Sequence, residues 1–103
     1  MTPEAQRIAI AEACGIEVPF PKSKYGYRNG IAIDLPDYLN DLNAMHEAER
    51  IMTFAQSAVY HETLDEIVNR PFKEGSILVW PSWHATASQR AEAFLRAIGK
   101  WVD

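Results

Sequence analysis

The chain has 103 residues, of which 48% are hydrophobic and 23% charged, proportions that match globular chains and lie far from the low-apolar, high-charge range of disorder. Ten Lys and Arg against fourteen Asp and Glu give a formal charge of −4, which disfavours coating duplex nucleic acid through many phosphate contacts. A single cysteine, Cys14, excludes an intrachain disulfide and a cysteine-based zinc site, and no run has the length of a membrane span, so a reducing, cytosolic setting is expected.

Thr2-Pro3-Glu4 reads as an N-cap, a proline at the first helical position and an acid in the positive first turn. The first helix is expected to run from there to Cys14, with Gly15 closing it. Pro19 and Pro21 then keep the chain extended. Asn29-Gly30 lies between Lys24–Arg28 and Ile31–Asp34, the strongest short-range hairpin signal, because a type I′ turn needs two positive φ angles. Pairing Arg28 with Ile31 would set Tyr25 and Tyr27 on one face with Ala32 and Asp34.

Helical periodicity spans Leu39 to Met52, with Leu42, Met45, Ala48 and Met52 inward and Asn43, His46, Glu47 and Arg50 on the other side. A third helix, about Phe54 to Asn69, gathers Tyr60, Leu64, Ile67 and Val68. Ser76–Trp80 is β-prone and bounded by Gly75 and Pro81, a buried strand expected to join the hairpin's sheet. Thr86 to Gln89 has capping-box spacing, and Gly99 ends the last helix, whose inward stripe is Ala87, Ala91, Phe94, Leu95 and Ile98. Glu92 and Arg96 pair at i,i+4 on its exposed side. The expected fold is a single α+β domain over residues 1–103, with about four helices and a small, largely antiparallel sheet in an α-β-α sandwich.

Two blocks, Asp41–Glu49 (DLNAMHEAE) and His84–Arg96 (HATASQRAEAFLR), resemble the small phage and prophage proteins grouped as the phage ABA sandwich domain. The resemblance covers nearly the whole chain. It implies an α-β-α layered fold, a bacteriophage origin and hence the cytoplasm of the infected bacterium. It implies no catalytic mechanism.

Charge is unevenly placed. Asp34 to Glu66 holds eight acids and one base, Arg50, whereas Lys22, Lys24 and Arg28 fall in an acid-free stretch. Interleaved with Phe20, Tyr25 and Tyr27, these bases form a pattern that combines ring stacking with a charge for phosphate. A second group is Trp80, Trp83, His84 and Arg90, the last in the first turn of a helix, where free N–H groups favour an anion. If the two groups meet over the sheet, they make a receptor for an anionic ligand. If not, the rings simply pack beneath a proline-rich loop.

Other candidates carry less chemistry. His46-Glu47 with Arg50 lacks the second histidine of a helical zinc site. His61 and Asp65 at i,i+4 read as a surface pair, so no metal is assigned. Asn43, His46, Glu47 and Arg50 form either a helix-surface network or the wall of a polar pocket. Glu49 falls on the apolar arc and needs a partner or a route to solvent. Cys14 reads as a small core residue.

Neither a nucleophile elbow nor a phosphate loop is present, and no catalytic residue or cofactor is assigned. The expectation is a phage protein, a binder before an enzyme, that sequesters a small anionic molecule, in particular a nucleotide-derived immune signal of the host. Tyr25, Tyr27, Trp80 and Trp83 would stack on the base, and Lys24, Arg28 and Arg90 would meet phosphate. Self-association would supply concavity to so small a chain. The alternatives are a protein that blocks a host protein through Trp83, Trp101 and the hairpin, and a small messenger hydrolase using His46, Glu47, His61 or His84.

Overall fold

The structure is a computed structural model that describes residues 1–70 and 85–103. Those residues form an α+β fold, in the order α1 (Pro3–Ala13), β1 (Tyr25–Arg28), β2 (Ile31–Asp34), α2 (Leu42–Glu49), α3 (Phe54–Asn69) and α4 (Ala87–Ala97). The expected strand at 76–80 lies outside the described residues.

The helices begin where the local chemistry directs. Thr2 Oγ1 accepts the amide of Ala5 at 3.1 Å. Thr53 with Gln56 and Thr86 with Gln89 each form a reciprocal capping box, which satisfies two amides that a helix start leaves without partners. α1 and α4 close alike, with Ile16 N–H donating to the Ala11 carbonyl at 2.9 Å and Lys100 N–H to that of Leu95 at 2.8 Å.

α2 is shorter than the periodicity predicts. Asp41 is its N-cap, accepting the amide of Asn43, and a turn precedes it in which Asn40 bonds back to Asp37. Capping chemistry at 37–41 therefore overrides the apolar period of Leu39. Leu42, expected inside, is 43% exposed at the helix start, while Met45 and Ala48 are buried.

Asn29 (φ 54°) and Gly30 (φ 79°) make the two-residue turn, and the strands pair antiparallel as Tyr25↔Asp34, Gly26↔Ile33, Tyr27↔Ala32 and Arg28↔Ile31. Glu17 adds a third backbone partner, exchanging two 2.8 Å hydrogen bonds with Tyr27. That closeness requires a glycine at 26, where a Cβ would lie 2.6 Å from Ile16 Cγ2 and 2.8 Å from the Glu17 carbonyl oxygen.

Among the described residues, two buried clusters stabilise the fold. One joins Ile10, Ile16, Tyr38, Met45, Phe94 and Leu95; the other joins Tyr60, Leu64, Ile67, Val68 and Ala93. α4 contributes to both and packs against α1, α2 and α3. Its predicted inward stripe is correct, with Ala91, Phe94 and Leu95 wholly buried and Ile98 partly so.

Candidate ligand-binding surface

Side chains alternate faces along a strand, so the register places Tyr25 and Tyr27 together, over Asp34 and Ala32. These partners are polar or small and do not cover the rings. Tyr25 and Tyr27 are 39% and 36% exposed. They meet edge to face at 5.8 Å, and Phe20, 51% exposed, continues the row at 6.2 Å from Tyr25. Buried Ser23 fixes the bend between them, its hydroxyl donating to the Tyr25 carbonyl at 2.6 Å. The tyrosines thus stand open on the surface.

The basic residues divide. Lys22 and Lys24 are exposed and make no ion pair among the described residues. Arg28, on the opposite face of the hairpin, donates to the Cys14 carbonyl at 3.4 Å, at the negative end of α1. Its charge serves a helix terminus.

A groove of about 990 Å³ adjoins the aromatic row. α1 lines one part of it with Ala5, Ile8 and Ala9; residues 18–22 and the tail at Lys100 and Val102 supply the rest, including Phe20 and Lys22. No local pattern announces this groove, because segments from both ends of the sequence build it.

Arg90 lies in the first turn of α4 as expected, but its guanidinium is taken by a partner within the chain. Its side chain is 13% exposed, and Nη1 lies 3.4 Å from Glu49 Oε1 and 3.5 Å from the Tyr60 hydroxyl. Nε donates to the Ala85 carbonyl at 3.4 Å. Glu49, 19% exposed, also has His46 Nδ1 at 3.6 Å. Desolvation, reinforced by the charge of Glu49, holds the Tyr60 phenol well above its ordinary value. The arginine read as a phosphate contact instead neutralises Glu49, which decides between the partner and the route to solvent left open for that carboxylate. Among the described residues, no hydrogen bond, ion pair or ring contact links Arg90 to Lys24, Tyr25, Tyr27 or Arg28.

Asn43, His46, Glu47 and Arg50 are all exposed on α2. Glu47 and Arg50 pair at 3.5 Å, whereas His46 turns to Glu49. The quartet belongs to a helix surface and lines neither the α1 groove nor a smaller cleft of about 250 Å³ beside Arg7, Asp37 and Ser88. Trp80, Trp83 and His84 lie outside the described residues. Trp101, a proposed protein anchor, is partly buried, with the Arg96 guanidinium 4.8 Å from its ring centre.

Cys14 is half-buried, and desolvation raises its thiol above the usual range despite a hydrogen bond with Tyr38 and the charge of Arg28. This agrees with a packing role. Glu92 meets Arg96 at 2.8 Å as predicted, and Arg70 at 3.0 Å in addition. No helix among the described residues is long and apolar enough to cross a membrane. Comparison with known proteins finds no matching family, no matching curated protein and no matching solved structure.

Proposed function

We propose that this chain is a non-catalytic binding protein whose hairpin face takes a planar, anionic small molecule of the nucleotide class. The carrying observation is the open row of Phe20, Tyr25 and Tyr27, in a segment that also holds two exposed lysines with no ion-pair partner among the described residues. Exposed rings offer stacking to a base, and Lys22 and Lys24 offer charge to phosphate. The site differs from the sequence expectation by losing Arg90, which Glu49 occupies, and by using Arg28 at the end of α1.

The resemblance to phage proteins supports a biological setting in which the ligand is an immune messenger of the infected bacterium, and the protein removes it by tight retention in the host cytoplasm. Binding without turnover suffices for that role.

The test incubates the purified chain with cyclic and ADP-ribose-type nucleotides, separates it from free ligand, denatures it with heat and identifies what is released. Recovery of an intact nucleotide is expected. Tyr27→Ala should weaken retention roughly tenfold, the usual worth of one stacked base, with the circular-dichroism spectrum unchanged. An altered nucleotide would establish catalysis instead, and no retention of any nucleotide would transfer the function to a protein partner.

A further inference from the structure

We propose that two copies of this chain pair through the α1 groove, each inserting the lip Pro19-Phe20-Pro21 against the other's α1. The pairing covers Phe20 and Lys22, which line the groove, and leaves Tyr25, Tyr27 and Lys24, which do not, to a nucleotide. A groove cannot close on a groove; it needs a ridge of matching chemistry. Here the ridge and the recess occur on the same chain. Phe20 stands on the lip with half its surface exposed, although it is a large apolar side chain. The recess is floored by Ala5, Ile8 and Ala9, and the two alanines leave space for a ring.

Charge completes the match. Glu4 and Glu12 edge the recess from α1, whereas Lys22 and Lys100 edge it from the lip and the tail. Within one chain these four groups make no ion pair among the described residues. A two-fold axis brings each patch onto its own copy, so that residue i meets residue j and j meets i. The lysines of one copy then face the glutamates of the other twice over. Rim charges of this kind fix register and discourage wrong partners. A lip bearing Phe20 and Lys22, opposite a helix bearing Ala5, Ala9 and flanking glutamates, is complementary to a second copy of itself.

Sedimentation equilibrium of the full chain, over a range of protein and salt concentrations, tests the pairing. A dimer that weakens with salt is expected. Phe20→Ala, at an exposed position that leaves the buried clusters intact, should weaken association roughly tenfold or more. An acidic variant, Lys22→Glu with Lys100→Glu, and a basic variant, Glu4→Lys with Glu12→Lys, should each be monomeric alone and should form a mixed dimer when combined. A monomeric wild type would overturn the proposal, as would a dimer indifferent to Phe20→Ala. Folded charge variants that fail to associate when mixed would do the same.

Discussion

The most consequential single residue is Arg90. Sequence logic placed it at a helix start, where an arginine is available to an anion; burial gave it to Glu49 and Tyr60. Half of that arrangement is legible, because a carboxylate on an apolar arc demands a partner. The identity of the partner is not, since 41 positions separate the two residues. Removing one member leaves the other charge desolvated, so Glu49→Ala and Arg90→Ala should each cost about 3 kcal/mol of unfolding free energy in urea titrations. The joint change Glu49→Leu with Arg90→Met should recover most of that loss, because no buried charge is left behind. Equal losses in the single and joint variants would show that the pair contributes nothing by charge. Glu92 gives a pH-dependent counterpart. Desolvation pushes its carboxyl up, but the hydrogen bonds and charges of Arg70 and Arg96 outweigh this and hold it below 4.5. A depressed folded value stabilises above the unfolded one and loses its effect as pH falls through the folded one. The stability advantage of the wild type over Glu92→Gln should therefore be constant near neutrality, begin to fall as acidification reaches the ordinary glutamate range and disappear once the folded carboxyl is protonated.

At the scale of elements, the hairpin was legible down to its register, because Asn-Gly admits both positive φ angles and the two-residue turn then dictates every cross-strand pair. What the pattern did not reveal was the third partner, Glu17, and with it the reason for Gly26. The recess there is backbone on one side and buried Ile16 on the other. Gly26→Ala should accordingly destabilise the domain by about 1–3 kcal/mol, measured as a lower urea midpoint. A neutral result would show that Glu17 and Ile16 move aside. The expected start of α2 failed for an equally local reason. Asp37, Asn40 and Asp41 satisfy backbone and side-chain groups in a turn, and the apolar period across Leu39 carries no information about that competition. Capping boxes, by contrast, are short-range and self-contained: the one at Thr86 forms where its spacing places it, and Thr53 with Gln56, at the same spacing, forms another.

For the molecule as a whole, composition and periodicity were enough for the α+β class, because four apolar stripes and one hairpin leave few ways to bury a core. The candidate site was only half readable. Tyr25, Tyr27 and their shared face follow from alternation, but their openness depends on what fails to cover them, and that is a property of the finished packing. The groove beside them has no sequence signature at all, since its lining comes from α1, the proline-rich loop and the tail. Neither the engagement of Arg90 by Glu49 nor the exposure of Leu42 can be deduced from one helix at a time.

α4 is a party wall. Ala93 belongs to one apolar cluster while Ala91, Phe94 and Leu95 belong to the other, so neither half can melt and leave its neighbour a surface to rest on. Heating should absorb enthalpy in one calorimetric peak, with the van't Hoff and calorimetric values equal for the monomeric chain. Two resolved peaks would mean that each cluster keeps a structure of its own after the wall has gone.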